Sequence, residues 1–305
     1  MEKPTSQKAL NVAQRMYFLL KDTYREWSKD NASQLGAALA FYTIFSLAPI
    51  LIIIVVLVGF ILGKGSVQIY LLGELTKLLG HENAQFVMNT IQSSYQTGSG
   101  LRATLIAISL VIVGSTTAGI MLKNALNAMW GVESGYSGFL HFILDRLKAL
   151  VIVLLAGGFI FLSMLASSVI AAMSLFLSNY INIPFVFIGW LNDIVSFVLL
   201  ALLFALLYKM LPDVEISWGD VWMGGAITAG LFVLGKYLLG LYLARSTISS
   251  AYGAAGSLVV LLLFVYYSAQ IIFLGAEFTQ VYARTYGAEI VPKKPRNSQA
   301  LKNPN

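Results

Sequence analysis

The chain has 305 residues, of which 58% are hydrophobic and only 11% charged, and its mean hydropathy is +0.77. Soluble domains are typically about 25% charged, and here the apolar residues fall in long runs, which makes a bilayer the natural solvent. The net charge of +6 lies mostly in the tails and connecting loops, where basic residues orient a membrane protein rather than bind nucleic acid. The absence of cysteine excludes disulfides, thiol chemistry and Cys-ligated metals.

Residues 1–34 are predicted to form a cytoplasmic amphipathic helix. Leu10, Ala13, Met16, Tyr17, Leu20, Tyr24 and Trp27 recur at helical spacing, with Lys8, Arg15, Lys21, Arg25 and Lys29 between them. That pattern suits a helix lying on an anionic leaflet, the alternative being that the helix packs on the protein's own loops. It alternates charge with apolar positions, unlike a signal peptide. The first span covers about 35–62 and contains Pro49, which should kink it; Tyr42, Ser46 and Pro49 share one face. Residues 63–102 form the longest loop, with two short helices, Val67–Leu79 and Asn83–Tyr95, broken at Gly80–His81.

The second span, about 101–122, leads into Lys123 and Asn127, which fall near the face of Thr116. The third, about 147–177, is longer than a hydrocarbon core of about 30 Å requires and must tilt or protrude. A fourth, 185–210, contains Asp193 and ends at Leu211-Pro212-Asp213, where Pro stops the helix and Asp supports a tight turn. The fifth, 220–243, contains Lys236, and its small residues Gly224, Gly225, Ala229 and Gly230 allow close helix approach. The sixth, 256–283, carries Tyr266, Gln270 and Glu277 on one side. Residues 287–305 read as a disordered basic tail. The expected fold is therefore all-α: a polytopic six-helix transmembrane domain over residues 35–286.

Of 20 Lys and Arg residues, 15 fall on the side of the two termini and 4 on the other. That asymmetry places both ends in the cytoplasm. Asp193 and Lys236 then lie about 12 Å and about 10 Å below the outer surface at 1.5 Å per residue. Matched depth and opposite charge suggest an ion pair, the alternative being that Lys236 snorkels and Asp193 lines a watery notch. Glu277 lies about 30 Å from the outer end of its helix, nearer Lys123 or Lys209. The stripe of Tyr266, Gln270 and Glu277 either lines a polar path or fixes packing by interhelical hydrogen bonds, and packing is favoured.

Catalytic patterns are missing. His81 and His141 are isolated, and no HxH, HExxH, GxSxG or phosphate-cradling Gly-rich loop occurs. No cofactor is expected.

Three segments together resemble the YihY/BrkB family of bacterial membrane proteins. They are Ala37–Thr43 with Ser46–Pro49; Tyr208–Asp213 leading to Trp218; and Ala251–Ser257 with Tyr266–Gln270 and Gly275-Ala276-Glu277. Ala125-Leu126-Asn127 to Trp130 also fits, and Phe264 stands where the family often has Trp. The resemblance implies a six-helix inner-membrane protein. It also carries an old ribonuclease BN label, against which the lack of a metal cluster and of a tRNA-sized soluble domain argues. The expected activity is transporter-like or flippase-like and not driven by ATP, with a lipid, amphipathic compound or ion as substrate. The alternative is a non-transporting envelope-maintenance scaffold. Membrane lipids are expected partners, and nucleic acid is not.

Overall fold

A computed structural model of the chain describes residues 12–95, 101–132, 139–178, 185–245, 256–287 and 290–292. Among the described residues the protein is all-α apart from one small ribbon. Helix α1 (Val12–Lys29) ends at a turn where Asn31 takes a left-handed conformation, φ 52°; Asn tolerates that region because its short polar side chain bonds locally. Helix α2 (Ala32–Leu62) starts directly after this elbow. Its two halves are inclined by 53° about Pro49, the residue whose ring and missing N–H disrupt the helical ladder. Gly63 and Gly80, at φ 86° and 82°, separate α2 from α3 (Lys64–Leu79) and α3 from α4 (His81–Tyr95). Both turns need a positive φ that glycine adopts without penalty. The two short loop helices are thus present, with the break at Gly80.

Helix α5 spans Leu101–Met129, α6 Phe139–Ser178, α7 Phe185–Met210, α8 Trp218–Arg245 and α9 Gly256–Tyr286. With 40 residues, α6 is about 60 Å long. It runs unbroken through Gly157-Gly158, and its charged residues Asp145, Arg146 and Lys148 lie near its start, directly before the long apolar run. Among the described residues, four helices are long and apolar enough to cross a membrane: α6, α7, α8 and α9. The two halves of α2 make a fifth if they form one span. The expected second span, 101–122, is helical within α5 but is not among these.

Two cores hold the bundle. At the end where α2 and α8 begin and α5, α7 and α9 finish, Leu126, Met129, Trp130, Phe204, Tyr208, Val221 and Phe273 pack together with Ala125, Ala205 and Ala276 nearby. At the other end α3 and α4 press Val67, Leu71, Val87 and Met88 onto Leu51, Ile54, Val55 and Val58 of α2. Small residues set the helix spacing. A Cβ on Gly224 would strike Thr279, and one on Gly225 would strike the backbone of Ala201 and Ala205. Ala229 is fully buried. Gly230 has open space around it, so it takes no part in the close approach expected of it.

The tail is partly structured. Strand β1 (Val214–Glu215), in the α7–α8 connection, pairs antiparallel with β2 (Val291–Pro292), Val214 opposite Pro292 and Glu215 opposite Val291. Residues 290–292 therefore correct the reading of a wholly disordered tail; the rest of it, 293–305, lies outside the described residues, as do the 179–184 and 246–255 links.

Candidate functional site

The polar residues gather at the end of the bundle that holds α1 and the β ribbon. Asp213, just past α7, is their hub. Lys123 of α5 is buried and pairs with Asp213 at 2.8 Å and with Asp145 of α6. Lys148 of α6 reaches the other Asp213 oxygen. Asn127, one turn beyond Lys123, donates to the Asp213 carboxylate at 3.0 Å and accepts the Asp213 backbone N–H at 2.9 Å. Burial alone would push the Asp213 carboxyl up, but hydrogen bonds from Lys123, Lys148 and Asn127 outweigh it and hold the group down to about 2. Arg146 donates to the Val113 carbonyl at 2.7 Å and to the Thr116 hydroxyl. Three cations against two carboxylates leave this cluster one positive charge in excess.

Beside the cluster lies a cleft of ≈ 350 Å³ between α2, α5 and α6. Tyr42 lines it from α2; Thr117, Ile120, Met121 and Asn124 from α5; Asp145 and Arg146 from α6. The face shared by Tyr42, Ser46 and Pro49 meets α5. The Ser46 hydroxyl accepts the Ala118 N–H at 3.3 Å, and a Cβ at Gly114 would come within 2.8 Å of the Pro49 ring. The bend of α2 therefore packs against α5, two turns along the helix from Tyr42.

The stripe on α9 meets the α1–α2 elbow. The Tyr266 hydroxyl bonds Ser33 at 2.9 Å, and Gln270 donates to the Ala32 carbonyl at 3.4 Å. The Gln270 side chain fills the space a Cβ on Gly36 would need. These two residues thus make hydrogen bonds between α9 and the start of α2. Glu277 is different: it is fully buried and neither carboxylate oxygen has a donor. The expected lysines are elsewhere. Lys123 is held by Asp213 and Asp145, while Lys209 donates to the Ile216 carbonyl and sits 5.5 Å over the Trp218 ring. The neighbour of Glu277 is another acid, Asp30, with Glu26 and Arg284 further round. Burial is the main influence on Asp30, and it raises its carboxyl above the usual range. Glu26 is lowered, first by the hydrogen bond from Lys29 at 3.1 Å.

Asp193 and Lys236 form no ion pair, and both are exposed. Asp193 does continue the helical stripe of Ala201, Phe204 and Tyr208, but the half of α7 away from the β ribbon, with Trp190, Leu191, Ile194 and Phe197, is exposed. The same holds for α8 around Val233, Leu234, Tyr237 and Leu238. Matched depth therefore did not bring the two charges into contact.

Sequence reasoning found Tyr42, Lys123 and Asn127 and missed Asp145, Arg146, Lys148 and Asp213. The signal was available: three charges within four residues, Asp145, Arg146 and Lys148, stand near the start of a 40-residue apolar helix, and charges so placed need counter-ions.

The sequence model of the virulence factor BrkB family matches residues 23–300. The chain belongs to that family. A UPF0761 membrane protein of Coxiella burnetii (strain RSA 493 / Nine Mile phase I) is 25% identical over 272 residues, covering 88% of this chain and 94% of the relative. One from Ralstonia nicotianae is 27% identical over 259 residues, 83% of this chain and 56% of the relative. One from Psychrobacter sp. (strain PRwf-1) is 25% identical over 268 residues, 88% of this chain and 48% of the relative. No solved structure matches. The BrkB-family match covers the α1–α2 elbow, the cleft, the Asp213 hub and Glu277, so each belongs to the part of the chain the family defines.

Proposed function

We propose that this BrkB-family protein is a transporter or flippase-like protein for an amphipathic compound or lipid, working without ATP. In this reading it has six spans, α5 being the one besides α2 and α6–α9. It sits in the inner membrane with both termini cytoplasmic, as the 15-to-4 distribution of basic residues favours. It has no enzymatic activity, and no nucleic acid is its partner.

The observation that carries the reading is the cleft between α2, α5 and α6. Its walls are apolar at Ile120 and Met121, and Arg146, Asp145 and Asn124 supply a polar patch. Such a pocket matches a molecule with a greasy part and a polar head: mostly apolar lining with a few polar groups fixing orientation is how small-molecule sites are built. The excess positive charge favours an anionic head group. Pro49 gives α2 a place to bend two turns from Tyr42, and irregular helices are where transporters place their sites.

The test is reconstitution. Protein in liposomes is expected to accelerate exchange of a fluorescent, anionic phospholipid analogue between leaflets. Filling the cleft with Thr117→Trp should slow exchange at least ~10-fold, which corresponds to about 1.4 kcal/mol, while the thermal unfolding profile stays cooperative. Folded protein that moves neither lipid nor ions would overturn the proposal.

A further inference from the structure

Glu277 has no place in the cleft and no cation, yet it is among the most completely buried side chains of the protein. Its surroundings come from three sides. On α9 itself, Arg284 lies two turns on, engaged with Glu26 at 3.5 Å. On α1, Glu26 is also held by Lys29 at 3.1 Å. At the elbow, the Asp30 carboxyl stands within hydrogen-bonding reach of Glu277. The nearby cations are thus spent on Glu26, and the two remaining acids face each other.

Two ionised carboxylates offer four acceptors and no donor. Side by side in a buried site they repel, and neither can be satisfied. One proton changes the chemistry: the protonated acid becomes a donor and its neighbour an acceptor, and the contact becomes a charge-assisted hydrogen bond. Which acid holds the proton follows from burial. Glu277 is fully buried, while Asp30 is partly exposed and can keep its charge in contact with water.

We infer that Glu277 is a proton-binding site whose O–H donates to the Asp30 carboxylate and so latches the α1–α2 elbow onto α9. Leu19 on Phe278 and Val281, and Glu26 on Arg284, complete the dock of α1. Loss of the proton sets like charges against each other at the elbow and releases α1, while the remaining contacts on α9 hold the elbow loosely. The latch does not depend on what the cleft carries. It joins the start of α2, the helix bent at Pro49, to the protonation state of one carboxyl.

The site can be read in the full chain in lipid nanodiscs. Infrared spectra at neutral pH are expected to show the carbonyl stretch of a protonated carboxylic acid. The band should shift when the wild type is grown with carboxyl-labelled glutamate, and should be lost in Glu277→Gln. The chain contains no cysteine, so spin labels at Leu20→Cys and Tyr286→Cys report the α1–α9 distance. In wild type the distance distribution should lengthen and broaden as pH rises from neutral to alkaline. In Glu277→Gln, a neutral donor at the same place, it should stay narrow throughout. No protonated-carboxyl band sensitive to the glutamate label, or the same pH response in wild type and Glu277→Gln, would overturn the inference. The labelled wild-type measurement decides the first point even if the variant does not fold.

Discussion

Asp213 shows how much a single side chain can organise. It receives Lys123, Lys148 and Asn127 from two different helices and fixes the turn that follows α7. Asp213→Asn would leave Lys123 buried with Asp145 as its one counter-ion. A cost of about 2–3 kcal/mol is expected, since removing one partner of a buried pair strands the other, and it would be read as a lower thermal midpoint in detergent. The pH dependence has a definite sign. The Asp213 carboxyl is held down to about 2 in the folded protein, against an ordinary value of 3.8. Its contribution is therefore complete above pH ~4 and is lost as pH falls through ~2, amounting to about 2 kcal/mol. Stability that did not fall across that acid window, or that fell equally in Asp213→Asn, would contradict this role. From the sequence alone Asp213 read as a turn residue, because its partners lie 65 to 90 positions away and no local period announces them. Glu277 was legible as an inward polar residue by its spacing from Tyr266 and Gln270. Its neighbour was not, because charge matching sends a carboxylate toward a lysine and never toward a second acid.

At the level of helices, contact is decided by which small residues lie under which neighbour. The α8–α9 seam is set by Gly224 under Thr279 and by Gly275 under Thr228 and Tyr208. Tyr208 there bonds the Thr228 hydroxyl at 2.9 Å and the Ile272 carbonyl at 2.8 Å. Gly275→Leu should force these helices apart and break that network, destabilising by about 3 kcal/mol, at the upper end of overpacking costs. Gly230→Leu, with nothing within 4 Å of its Cβ position, should stay within ~0.5 kcal/mol of wild type, as surface changes usually do. Thermal unfolding of the two variants side by side checks the assignment, and equal losses would sink it. Helix positions were legible in the sequence because long apolar runs and Gly or Pro breaks are local signals. Helix partners were not: the sequence grouped Gly224, Gly225, Ala229 and Gly230 together, and only the packing separates the first three from the last.

Across the whole molecule, order is uneven. The end with the β ribbon is closely packed, although Glu277, Gln270 and Asp220 keep buried oxygens without a hydrogen-bond partner there, whereas the halves of α7 and α8 away from the ribbon expose their apolar and charged side chains. Lys123 and Glu277 are turned inward, whereas Asp193 and Lys236 are exposed. The general rule that membrane charges seek partners says nothing about whether the partner's helix covers them. The cleft between α2, α5 and α6 lies at the closely packed end, beside the Lys123–Asp145–Asp213 cluster. The most direct measurement is a cryo-electron microscopy map of the protein in lipid nanodiscs. An elongated density is expected in that cleft, its head beside Arg146 and its chain along Ile120 and Met121, absent in Thr117→Trp. A closed, dry seam between α2, α5 and α6, with Tyr42 packed across it, would contradict the claim that this is where the protein meets its substrate.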